Sequence, residues 1–245
     1  MGALYLYAIT DRPAAALAAG RGLEEAPLVA VRYRDLGAVT GALGGTGAPA
    51  ASPANVRRHE SVLQALMVTR TVLPVRFGTL LPDAERTREV LREHYRSFAE
   101  TLARVRGRVE LGLRVLWTAD GVPLAAAQPP VSERSAPTVS GRTYLLARLE
   151  EEHRSQAVQR QAETIAAEIH GPLAAIAADS TRQTLPTPQT LLVAAYLVDR
   201  DNVVRFEGAV RAVARVFTGC RFLLTGPWSP YSFVTGYLED GLAVK

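Results

Sequence analysis

Val109, Leu111, Leu113, Val115 and Trp117 occupy every second position of one stretch, directly after a helical pattern that Gly107 is placed to stop. Period-two alternation puts such side chains on one face of a strand. The preceding pattern spaces Leu91, Tyr95, Phe98, Leu102 and Val105 along one side of a helix over Asp83–Arg106. Strands mixed with helices, as in each half of this chain, favour α+β layers over a regularly alternating α/β fold. The expectation is an α+β fold, with mixed or antiparallel sheets packed against helices.

Ala3–Thr10, Leu28–Tyr33 and Leu36–Leu43 carry strand patterns, and Ala14–Gly20 is compatible with a short helix. Gly44–Pro53, rich in Gly, Ala and Pro, is expected to be a loop. Ser52 followed by Pro53 forms an N-cap signal for a helix to about Val68, with Val56, Glu60, Leu63 and Met67 at helical spacing. Thr71–Val75 is short and β-branched, and Pro74 suits an edge strand. Arg142–Ala178 is helical in composition, with Gly171-Pro172 expected to kink or divide it. Strands near Ser180–Leu185 and Leu191–Val198, a helix over Val203–Phe217 and a strand at Arg221–Thr225 complete the pattern.

Thr118–Ser140 holds Pro123, Pro129, Pro130 and Pro137 among small residues, the composition of a linker or long loop. It divides the chain into an N-terminal α+β domain, 1–117, and a C-terminal domain, 141–245, with a long helix and an aromatic tail. The apolar fraction of 48% supports packed cores. The longest unbroken aliphatic or aromatic run, Leu191–Val198, is too short for a membrane-spanning helix, which needs about 20 residues. The start of the chain has no secretory-signal pattern, so a cytoplasmic location is expected. Lone Cys220 has no partner for an internal disulfide.

Catalytic signatures are missing from the sequence. His59-Glu60 begins like a zinc-protease helix, but the second imidazole, due four residues after His59, is replaced by Leu63. Neither a Gly-rich phosphate loop nor a serine elbow occurs, and no metal, cofactor or catalytic residue is assigned. Arg76 is expected to pair with Glu60, and Gly78 to permit a turn. Arg88, Arg92, Arg96, Arg104 and Arg106 could form a basic ridge for RNA or DNA, although Glu89, Glu93 and Glu100 interrupt it. Trp228, Tyr231 and Phe233 lie among Pro227 and Pro230 and suit either an interface anchor or the cover of a core.

Two of these stretches are dense motifs, HESVLQALMVTRTVLPVRFGT at His59–Thr79 and TGPWSPYSFV at Thr225–Val234. With YLYAI at Tyr5–Ile9 and GRTYLLARLEEE at Gly141–Glu152, taken in order, they resemble the gas vesicle accessory family GvpF/GvpL. The resemblance implies two α+β domains with ferredoxin-like features and a non-enzymatic role in the cytoplasm, at the gas vesicle. It implies as partners the small hydrophobic shell protein GvpA and other accessory proteins, without cofactor or membrane. On this reading His59, Glu60, Arg76, Phe77, Trp228, Tyr231 and Phe233 are the candidate partner-binding residues. A nucleic-acid-binding module using the arginine ridge is the alternative. An F-like or L-like role, the shell-binding face, presence in the mature vesicle and oligomeric state are not fixed by sequence.

Overall fold

The structure is a computed structural model, and it describes residues 3–11, 20–45, 47–118, 141–184 and 190–234. It forms two compact units, one made of Met1–Glu110 with Pro227–Lys245, the other of Leu111–Gly226. The sequence-based division, by contrast, assigns the aromatic tail to a C-terminal domain. Its polar anchors, described below, tie the tail to the first unit. The expected linker lies outside the described residues apart from Thr118, as does most of the expected helix Ala14–Gly20.

In the first unit, β1 (Leu4–Asp11) is the centre of a sheet with β2 (Leu28–Tyr33), β3 (Leu36–Ala42), β4 (Val72–Pro74) and β5 (Leu80–Leu81). The order is β2-β3-β1-β4, with β5 also on β1, and the pairs are antiparallel. Pro74 therefore lies on an edge strand, where its missing N–H costs no ladder bond. β1 carries an irregularity between Leu6 and Ala8, so Tyr7 falls at a bulge.

Helix α1 (Pro53–Met67) begins as its sequence signals: the Ser52 hydroxyl accepts from the Asn55 N–H at 3.2 Å, and proline occupies the first turn. Val62, Leu63, Leu66 and Met67 are buried, on the side that also carries His59.

The single helix expected over Asp83–Arg106 is two helices, α2 (Ala84–Glu93) and α3 (Tyr95–Val105). The break falls at His94, whose φ of −105° and ψ of 15° leave the helical range. Tyr95, the first residue beyond it, donates to Asp35 Oδ1 at 2.6 Å, and the Arg34 guanidinium lies 4.8 Å from its ring centre. The break thus coincides with an anchor to the β2–β3 turn. α3 ends before Gly107, which takes the left-handed φ of 71°.

The second unit is built around a sheet of order β7-β8-β6-β9, formed by β6 (Arg108–Trp117), β7 (Asp179–Thr184), β8 (Thr190–Asp199) and β9 (Cys220–Trp228). Leu111, Leu113 and Val115 share its core with Leu192, Ala194, Tyr196 and Val198. Helix α4 (Gly141–Ala174) adds Ala162, Ala166, Ile169 and Leu173, and α5 (Val203–Val216) adds Phe206 and Val210. Pro172 does not divide α4, which runs on through it to Ala174 and ends two residues later. β9 extends beyond the expected Arg221–Thr225 to include Gly226, Pro227 and Trp228. As an edge strand it tolerates that proline.

Candidate partner-binding site

The two dense motifs, far apart in sequence, meet on α1. Gln64 Nε2 donates to the Pro227 carbonyl at 3.2 Å, and the buried Ser229 hydroxyl donates to Met67 Sδ at 2.9 Å. Tyr231 reaches both His59 and Glu60. Ser232 is held at its N–H and its hydroxyl by the two oxygens of Glu110, each at 2.8 Å. Arg104 donates to the Phe233 carbonyl. Residues 227–233 thus form a strap bound through side chains and backbone alike.

His59 is the centre of this arrangement and is 1% exposed. Tyr231 donates to Glu60 Oε1 at 2.8 Å, so its oxygen accepts from His59 Nε2, 3.1 Å away. Nδ1 must then accept, and the Tyr5 hydroxyl, 2.8 Å distant, is its donor. Tyr5 in turn accepts from the Gly78 N–H at 3.1 Å. The relay runs Gly78, Tyr5, His59, Tyr231, Glu60, with every bond directed one way and the imidazole neutral. Burial lowers the His59 pKa to about 4, with the Val75 backbone pulling partly the other way. Burial also raises the Tyr5 and Tyr231 hydroxyls, and the Glu60 carboxylate adds to the rise at both.

Aromatic rings surround the imidazole. Tyr7 stacks on it at 5.5 Å and 25°, while Tyr5 and Phe77 meet it edge-on, both with centroids 5.7 Å away. Tyr7 in turn accepts from the Leu23 N–H at 2.7 Å. Glycine is required at Gly22 for this approach, since a Cβ there would lie 2.1 Å from the Tyr7 hydroxyl oxygen. Gly78 has the left-handed φ of 90° that its turn needs.

Of the candidate residues, His59, Glu60, Phe77 and Tyr231 converge, and Phe233 is buried beside them along the strap. Arg76 is exposed and does not pair with Glu60, whose carboxylate is engaged by Tyr231 instead. Trp228, 43% exposed, presents part of its ring to solvent. Sequence reasoning passed over Tyr5 and Tyr7 as site residues, and Glu110 altogether. Glu110 is an acidic residue within a buried strand, a visible signal for a polar partner. Its carboxyl is raised by burial, against the opposing effect of the Ser232 bonds.

Both nitrogens of the imidazole are committed, leaving it no open position from which to take a substrate proton. Among the described residues, no three His, Cys, Asp or Glu side chains are grouped to hold a metal ion. Burial raises the Cys220 thiol, away from reactive thiolate character. Of the supposed basic ridge, Arg88 pairs with Glu85, Arg96 with Glu100 and Arg106 with Asp11, while Arg104 donates to the Phe233 carbonyl.

The family model described as gas vesicle synthesis protein GvpL/GvpF matches residues 3–235. The chain belongs to this family. Gas vesicle protein L of Streptomyces sp. (strain CB03234) is 31% identical, over 96% of this chain and 94% of that protein. Gas vesicle protein F2 of Halobacterium salinarum is 28% identical, over 83% and 78%. The crystal structure of GvpF from Anabaena sp. PCC7120 superposes with a TM-score of 0.79 at 19% identity, covering 96% of this chain and 99% of that one. GvpF from Microcystis aeruginosa gives 0.77 at 21% identity, covering 96% and 100%. As a GvpL/GvpF protein, the chain is a non-enzymatic gas-vesicle accessory or structural protein. No helix among the described residues is long and apolar enough to cross a membrane.

Proposed function

We propose that this GvpL/GvpF protein binds the hydrophobic shell protein GvpA in the cytoplasm and supports its ordered addition to the growing gas vesicle, together with other accessory proteins. Shell subunits that expose apolar patches before assembly aggregate unless something covers them. The observation that carries the proposal is the division of labour in the site. His59, Glu60, Tyr231 and Phe233 hold the strap, while Arg76 and Trp228 face solvent. A fixed backbone presenting an aromatic and an arginine has the composition of an interface anchor, with little ordering cost on binding.

The fold reading that accompanies this proposal is ferredoxin-like for the second unit. Its elements run β6, α4, β7, β8, α5, β9, the βαββαβ succession, and the sheet order β7-β8-β6-β9 suits it.

Co-purification with the cognate GvpA tests the function. Wild type should retain GvpA, and a folded Arg76→Ala, Trp228→Ala double variant should lose it. Equal retention would remove these two residues from the interface. No association at any salt, with both proteins folded, would remove GvpA as the direct partner.

A further inference from the structure

Helix α5 contains a glycine that its own surroundings do not require. Gly208 lies mid-helix, where glycine is unfavourable, yet a Cβ there would meet no atom within 4 Å. The inward side of α5 is Phe206 and Val210. Its outward side carries Val204, Gly208, Ala212 and Val216 in a single row at four-residue spacing. Both valines are 74% exposed. Arginines border the row: Arg211 is 3.8 Å from Glu207, and Arg205 and Arg215 have no ion pair or hydrogen bond among the described residues. The row therefore has apolar ends, a hollow floor and cationic borders. Such a row accepts a second helix at close approach, its side chains seated over the small residues.

The first half of α4 has the complementary character. Among the described residues, its buried side chains lie in the later turns, at Ala162, Ala166, Ile169 and Leu173. Leu145 and Leu149, one turn apart, are 61% and 51% exposed. Glu152 continues their row, Glu150 lies on one flank and Arg148 on the other, and all three are exposed.

We infer that the protein self-associates head to tail, the leading half of α4 in one copy lying across the outer row of α5 in the next. Leu145 and Leu149 seat over Gly208 and Ala212, between the two valines, and Glu150 and Glu152 approach the bordering arginines. The two surfaces differ, so the contact is heterologous. It leaves a free α4 and a free α5 at opposite ends, and copies add into rings or open chains rather than stopping at a two-fold dimer.

Sedimentation velocity on the full chain tests this over a range of concentration and salt. The weight-average sedimentation coefficient should rise with concentration and fall back as salt screens the charge pairs. Gly208→Leu fills the hollow without an internal clash and should leave a folded monomer. Arg205→Glu with Arg215→Glu, and separately Glu150→Arg with Glu152→Arg, should each be monomeric. Their equimolar mixture should associate again, because one native pair survives and the reversed pair is again opposite in sign. A wild type that stays monomeric throughout would overturn the proposal. So would Gly208→Leu associating like wild type, or a mixture of the two charge-reversed proteins that remains monomeric. Circular dichroism and thermal melting of each variant separate loss of association from loss of fold.

Discussion

His59 on α1 donates to the Tyr231 hydroxyl of the C-terminal strap at 3.1 Å, joining residues 172 positions apart in the sequence. Tyr231 passes the bond on to Glu60, and Tyr5 supplies the opposite nitrogen of the ring. A buried polar network is stabilising only when every member is satisfied, and in this one each donor has an acceptor. The strap is therefore held by directional bonds as well as by its aromatic surface.

Removing the Tyr231 hydroxyl alone should be costly. Tyr231→Phe preserves the ring but leaves the His59 Nε2–H buried without an acceptor, a penalty of about 1–3 kcal/mol. Urea unfolding should show a lower midpoint at unchanged slope. An unaltered midpoint would mean that the bond contributes nothing net.

Acid should loosen the fold through His59. Its folded pKa of about 4 lies below the ordinary 6.5, so the unfolded chain takes up this proton first. Stability should consequently fall as pH drops from 6.5 to 4, by up to about 3 kcal/mol from this residue. Glu110, raised by burial, acts with the opposite sign: its destabilising ionisation is relieved as pH falls. His59→Gln should flatten the pH dependence of unfolding in that window, whereas an unchanged slope would assign the acid sensitivity to other groups.

Gly22→Ala should destabilise although the backbone there, at φ −91°, suits any residue. The new Cβ would lie 2.1 Å from the Tyr7 hydroxyl oxygen and 2.8 Å from the adjoining ring carbon. The tyrosine must move and give up its bond to Leu23, at a cost of about 1–3 kcal/mol. Tyr7→Phe in the same chain should recover part of the loss, so the two effects should be measurably non-additive in thermal unfolding.

Glu110→Ala should free the strap locally. Both Ser232 bonds disappear while the imidazole relay keeps its partners. Hydrogen exchange should therefore accelerate at the Ser232 amide more than at the amides of α1. Uniform acceleration would point to global rather than local loosening.

Local structure was legible where the signal was local. Ser52-Pro53 marked the start of α1, Pro74 marked an edge strand, and the alternation from Val109 to Trp117 marked β6. The break at His94 was hidden because neither glycine nor proline marks it and the apolar spacing continues across it from Leu91 to Phe98. The motifs around His59 and Tyr231 stood out separately, but their junction is tertiary. Glu60 likewise had an obvious neighbour in Arg76, yet its partner is a tyrosine 171 residues away. Gly22 carried no readable meaning until Tyr7 was placed beside it.

The relay itself is most directly tested by nitrogen NMR of the His59 side chain across a pH titration. A neutral ring protonated at Nε2, with Nδ1 unprotonated, should persist until about pH 4. A ring protonated at Nδ1, or one that titrates near the ordinary 6.5, would contradict the arrangement that holds the strap on α1.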